Sequence, residues 1–228
     1  DLCYGLMLRS GNDAAYTIAT YIGGSIDGFV KKMNSKASEI GMKNTKFTNA
    51  SGLDIDEIGN LSTAYDMAVL MSYALENVWF SKISKTQSYS CKHINTWINK
   101  NKLLKMYEYT DGGKTGYTYK AKRTFVSGAT KNGLKIAMCT LNCGNDFEFH
   151  KNMYEKYFSR LAFIEFLKPG INQIYDYKIE SKKRIGIVVP IEKFKNGIKL
   201  YKFSSSGQLL YMEYITDDGE RIKVNLYE

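Results

Sequence analysis

The chain has 228 residues, 44% hydrophobic and 14% aromatic, with 32 Lys and Arg against 23 Asp and Glu for a formal charge of +9. That supplies apolar material for one sizeable core, or one core and a small satellite domain. No apolar run reaches the roughly 18 residues a membrane-spanning helix needs. The positive charge could attract a polyanion. The lysines are scattered, however, and interleaved with acids, which reads as a solvated surface, and no nucleic-acid motif accompanies them.

The chain opens at Asp1, not Met. Leu2, Leu6, Met7 and Leu8 read as the middle of a buried helix, so the natural N-terminus is expected to be missing. Ala14, Ala15, Ile18, Ala19 and Ile22 share one face of a helix ending near Gly23-Gly24. Ser25 caps the next helix, whose apolar face is Ile26, Phe29, Val30, Met33, Ala37 and Ile40, and Gly41 stops it. Residues 42–61 are polar and loop-like. Thr63 and Asp66 form a reduced capping box ahead of Met67, Leu70, Met71, Ala74 and Leu75.

Strand patterns follow. The runs 123–129 and 134–141 flank Lys131-Asn132-Gly133, a hairpin signal. Residues 146–167 read as helix with Phe149, Met153, Tyr157, Phe158 and Leu161 on its apolar side, broken by Lys168-Pro169-Gly170. The rest reads as strands at 172–179, 184–189, 198–203, 208–215 and 221–227. Asn196-Gly197 and Asp218-Gly219 read as turns. Residues 171–228 are thus a small all-β domain.

The four cysteines, Cys3, Cys91, Cys139 and Cys143, have neither zinc-like spacing nor a disulfide framework. His93 and His150 stand far apart and read as structural or surface residues, so no metal is expected. The 18 tyrosines fit core and strand filling better than a carbohydrate surface.

Two short motifs carry chemistry: Ser10-Gly11-Asn12 and, about a hundred residues on, Lys114-Thr115-Gly116 within Asp111-Gly-Gly-Lys-Thr-Gly-Tyr-Thr118. In this order and spacing they match two of the three motifs of serine penicillin-interacting enzymes. Gly-Met-Lys-Asn-Thr-Lys-Phe (41–47), Ser-Gly-Leu-Asp (51–54), Leu-Ser-Thr-Ala-Tyr-Asp-Met-Ala (61–68) and Asn99-Lys100-Asn101 strengthen the match. Residues 1–168 resemble the D-alanyl-D-alanine carboxypeptidases, the low-molecular-mass penicillin-binding proteins. Within that family, residues 120–129 are similar to the branch that includes spore-cortex carboxypeptidases.

The resemblance implies an α+β chain: a β-lactamase/transpeptidase-like catalytic domain over 1–168, without its first portion, then the small β domain over 171–228. It implies a serine-type peptidase that trims the terminal D-alanine of peptidoglycan stem peptides outside the cytoplasm, at the cell envelope. The partners implied are a pentapeptide stem ending in D-Ala-D-Ala and, for the complete protein, β-lactams. No nucleic acid and no cofactor are implied, and the oligomeric state stays open.

By the same resemblance Ser10 relays a proton to the leaving amine, and Asn12 holds the substrate amide. Lys114 supplies positive charge to the proton network and to the substrate carboxylate, which Thr115 hydrogen-bonds. Gly116 keeps the strand edge bare, the Tyr117 N–H is an oxyanion donor, and Lys100 assists with the carboxylate.

The family's nucleophile sits in a Ser-x-x-Lys motif upstream of Ser-Gly-Asn, and no serine of this sequence has lysine three positions on. The chain is therefore expected to be inactive alone, and to be poorly stable or to associate with something. An alternative is a non-catalytic remnant that binds cell-wall peptide or a partner protein. A class A β-lactamase fits less well, since those enzymes carry Asp in place of the motif's Gly and lack a trailing β domain.

Overall fold

The computed structural model describes residues 1–54, 59–91, 96–194 and 196–224. Two compact units emerge. The first comprises Asp1–Thr130 with Lys135–Tyr154, and the second comprises Lys131–Leu134 with Glu155–Glu228. This division falls ahead of the Pro169-Gly170 boundary expected from the sequence.

The first unit begins with a short helix α1 (Leu2–Tyr4) and a π turn over Gly5–Arg9. This corrects the expected buried helix: Leu8 is fully buried, but Leu2 is exposed. Helix α2 (Asn12–Gly23) buries Ala14, Ala15 and Ala19. Helix α3 (Ile26–Glu39) starts where Ser25 Oγ accepts the Gly28 N–H at 3.0 Å, a cap the sequence predicts. Side-chain amides hold the loop that follows. Asn60 Oδ1 accepts the Thr48 and Asn49 N–H groups, and Asn49 Oδ1 accepts that of Gly52.

Helix α4 (Ala64–Leu75) opens on Thr63, whose Oγ1 accepts the Asp66 N–H at 3.1 Å. The buried Asp66 carboxylate accepts in turn from Asn44 N and Thr45 Oγ1, both at 2.7 Å. A Thr63→Ala chain is expected to lose about 1 kcal/mol in urea denaturation, the usual worth of such a cap.

Helix α5 (Val78–Lys85), strands β1 (Ser88–Tyr89) and β2 (Trp97–Ile98) and helix α6 (Leu103–Met106) lead to a three-stranded antiparallel sheet. Its order is β3 (Thr110–Thr118), β4 (Lys122–Lys131), β5 (Leu134–Leu141), so β3 is an edge. The Asn132-Gly133 turn has φ values of 50° and 80°, the left-handed pair that a tight hairpin needs.

Helix α7 (Asp146–Phe158) differs from expectation in length and in facing. Phe149 and Tyr157 are exposed, and the buried stripe is Asp146, His150 and Tyr154. These polar groups tolerate burial because each finds a partner. Asp146 takes a two-pronged bond from Arg123. His150 meets Ser127 Oγ at 2.8 Å and Thr140 Oγ1 at 3.1 Å, and Tyr154 OH meets Ser127 Oγ at 2.8 Å. The helix also stops short of 167. Residues 161–167 form strand β6, which pairs antiparallel with β9 (Ile185–Pro190).

The rest of the second unit is a hairpin of β7 (Gly170–Ile174) and β8 (Tyr177–Ser181), and an antiparallel sheet β10–β11–β12 (Ile198–Phe203, Leu209–Ile215, Arg221–Val224). The expected single strand 172–179 is thus two strands. Tyr175, at φ 52°, turns the chain between them. The core of this unit is Ile164, Phe166, Leu167, Val189, Met212, Tyr214 and Val224.

Candidate functional site

The first motif gets its geometry from the π turn. Ser10 ends that turn in the left-handed conformation, φ 61° and ψ 46°. Its N–H reaches the carbonyls of Gly5 and Leu6, and the Gly11 N–H reaches that of Gly5 at 3.2 Å. Left-handed backbone costs an L-residue about 1–2 kcal/mol, so surrounding bonds must hold Ser10 there.

The second motif lies on edge strand β3. Lys114 Nζ donates to Ser10 Oγ at 2.5 Å and to the Thr115 carbonyl at 2.6 Å. Residues 104 positions apart thus meet side chain to side chain. The two glycines ahead of Lys114 allow β3 to lie close to its neighbours. A Cβ on Gly112 would sit 2.1 Å from Ser84 Oγ, and one on Gly113 would sit 2.6 Å from the Val126 carbonyl.

Asn99, Lys100 and Asn101 tie these parts together. Asn99 Nδ2 donates to the carbonyls of Ser84 and Thr86 on the α5 side, and its Oδ1 accepts the Asn101 N–H. Asn101 Oδ1 accepts the Leu103 N–H. The Lys100 N–H donates to the Leu8 carbonyl inside the π turn at 3.2 Å.

The electrostatics follow from that crowding. Burial, with the Lys100 charge adding to it, pushes the Lys114 ammonium down to about 8 from its usual 10.5. A lysine in that range exchanges a proton readily near neutrality, and Ser10 Oγ lies within bonding reach of it.

The structure therefore brings Ser10 and Lys114 into contact and places Lys100 close enough for its charge to act on Lys114. Asn12 is exposed on the first residue of α2, and Thr115 is half-buried. Gly116 and Tyr117 are exposed on the open edge, and Lys100 is exposed as well. The bracing residues Ser84, Asn99 and Gly112 were not among those read from the sequence as functional. The Asn-x-Asn and Asp-Gly-Gly spacings were the available signals.

His150 is fully buried and bonded through both ring nitrogens, while His93 lies outside the described residues. All four cysteines are free thiols, and burial raises that of Cys139 to about 11, which keeps it protonated near neutrality. Among the described residues no group of three or more His, Cys, Asp or Glu could hold a metal ion, and no helix is long and apolar enough to cross a membrane.

Comparison with known proteins gives a consistent picture. A family model described as D-alanyl-D-alanine carboxypeptidase matches residues 1–145. The chain is 40% identical over 139 residues to D-alanyl-D-alanine carboxypeptidase DacF of Bacillus subtilis, covering 59% of this chain and 35% of that protein. It is 39% identical over 140 residues to DacB2 of Mycobacterium tuberculosis, covering 60% of this chain and 48% of that one. The chain thus spans between about a third and a half of these relatives.

Among solved structures, a Mycobacterium tuberculosis D-alanyl-D-alanine carboxypeptidase superposes with a TM-score of 0.64 at 34% identity, over 69% of this chain and 62% of that one. Penicillin-binding protein 5 of Haemophilus influenzae superposes with a TM-score of 0.74 at 24% identity, over 99% of this chain and 72% of that one, which shows the shared α+β fold.

Proposed function

Because the chain belongs to the D-alanyl-D-alanine carboxypeptidase family, we propose that it forms the substrate-cradling side of a serine-type enzyme that trims terminal D-alanine from peptidoglycan stem peptides at the cell envelope. The observation that carries this reading is the 2.5 Å bond between Lys114 Nζ and Ser10 Oγ, made by a lysine whose proton is loosened by burial.

The roles follow from the chemistry. Peptide cleavage needs a proton delivered to the leaving amine, and Ser10 backed by Lys114 is a donor relay for it. A terminal carboxylate needs a cation and a hydroxyl, which Lys114, Lys100 and Thr115 supply. Asn12 can both donate to and accept from a substrate amide. Under this reading Gly116 leaves the β3 edge bare for an extended peptide, and the Tyr117 N–H supplies an oxyanion donor.

No serine of the 228 residues is followed by lysine three positions on. Under this reading these residues alone bind substrate and form no acyl-enzyme.

Two measurements test the proposal. In an NMR titration, a peptide ending in D-Ala-D-Ala is expected to shift the signals of Ser10 and of 114–117, and its L-Ala-L-Ala counterpart is not. Lys114→Met should weaken the binding about tenfold, the worth of one charge-assisted bond. Equal response to both peptides would overturn the cradle. Intact mass after incubation with a labelled penicillin is expected to stay unchanged. A stoichiometric, heat-stable adduct would show that the 228 residues hold a nucleophile of their own.

A further inference from the structure

Ser10 meets Lys114 only while the π turn keeps its shape, and one side chain outside both motifs lies against the residue at its centre. Gly5 is buried, and its carbonyl accepts both the Ser10 and the Gly11 N–H groups. A Cβ built on Gly5 would lie 3.3 Å from Cη2 and 3.4 Å from Cζ3 of Trp97. The indole of Trp97 is therefore seated on the backbone that fixes Ser10.

Aromatic neighbours continue from Trp97. Its register partner Tyr89 packs beside it, with ring centroids 6.2 Å apart. Tyr89 stacks in turn on Tyr4, centroids 3.8 Å apart and planes 6° from parallel. Tyr4 immediately precedes the π turn, and Tyr89 OH donates to the Asp1 carboxylate at 2.6 Å. The residues just after Trp97 grip the other side of the turn. The Ile98 carbonyl accepts from Arg9 Nη1, and the Lys100 N–H donates to the Leu8 carbonyl, each at 3.2 Å. The segment from Trp97 to Lys100 thus touches Gly5, Leu8 and Arg9, three of the five residues of the turn.

We propose that Trp97 is a positioning residue: seated on Gly5, it holds the turn in the one shape that delivers Ser10 Oγ to Lys114 Nζ. A flat ring suits this task. It covers the glycine backbone broadly, and it has few rotatable bonds through which the contact could be lost. An aliphatic side chain would fill part of the volume without covering the whole turn, and alanine would let the left-handed strain at Ser10 relax. The inference rests on reading Ser10 and Lys114 as a proton-transfer pair.

The test follows the titration of Lys114 by NMR in the 228-residue chain, with its signal assigned by comparison with Lys114→Met. In the unaltered chain Lys114 is expected to titrate near 8. Trp97→Ala is expected to raise that value by about one pH unit or more, as Ser10 moves off and water reaches the ammonium, and Trp97→Phe is expected to restore it largely. Should the alanine chain not fold, Trp97→Leu is read in its place. A variant that melts earlier while Lys114 still titrates near 8 would show that Trp97 supports the fold alone, which overturns the proposal. A Lys114 that titrates near 10.5 in the unaltered chain would instead overturn the proton-pair reading beneath it.

Discussion

Lowering the pH from about 6.5 to about 4 is expected to remove about 3 kcal/mol of folding stability through His150 alone. The imidazole is fully buried, and burial pushes it down to about 4 from 6.5, against a smaller upward pull from Asp146. Its folded-state value lies below its unfolded one, so the unfolded chain binds more protons between the two, and stability falls as pH drops through that window. The contribution is complete above about 6.5 and gone below about 4. Between about pH 6.5 and 5 few carboxylates protonate, so the slope there belongs to histidine. Urea denaturation at several pH values measures it, with His150→Gln as the comparison, since glutamine can still bond Ser127 and Thr140 but cannot take up a proton. A slope of the same size in the glutamine chain would place the acid sensitivity elsewhere.

Gly112→Ala is expected to cost about 3 kcal/mol and to disturb the site as well. Two effects combine. The φ of 151° at Gly112 lies in a region closed to L-residues, and the new methyl would sit 2.1 Å from Ser84 Oγ and 3.0 Å from its Cβ. Ser84 is fully buried, so it has little room to withdraw. The register of β3 against β4 also slips between Thr110 and Gly112, so the bulge that starts the Lys114 strand depends on this glycine. Pairing Gly112→Ala with Ser84→Gly should recover the part due to collision and leave the part due to backbone strain. Urea denaturation reads both parts, and the loss of the lowered Lys114 titration reads the displacement of the strand.

The extents of helices α2, α3 and α4 were legible from their caps and ends, while two residues assigned to their apolar faces, Ile22 and Ile26, are exposed. Ser25, Thr63 and the Gly23-Gly24 end all stand where the sequence places them. The Asn132-Gly133 hairpin was legible because a turn type and two flanking strand patterns coincide. The pairing of Ser10 with Lys114 was anticipated through resemblance, because neither tripeptide has a periodicity that says where it points.

What could not be read has a common cause, tertiary partners that override local pattern. Counting apolar residues selected Phe149 and Tyr157 as the inner face of α7, but Arg123, Ser127 and Thr140 make the polar stripe the one that is buried. Leu161–Leu167 is a short apolar run that suits a buried strand as well as a helix end, and its pairing with β9 decides the matter. The π turn has no signature of its own, and its shape comes from Trp97 and Lys100 reached across ninety residues of chain.

The Lys114 ammonium carries two duties on one proton. In the role proposed for it, the protonated form would attract a negatively charged peptide end, and only after losing that proton could it accept another. The two states are about equally filled near pH 8, so at that pH each duty falls to about half of the molecules. Capture of the peptide end and readiness to take up a proton must peak on opposite sides of that midpoint, so a machine built on this lysine works best as a compromise between them.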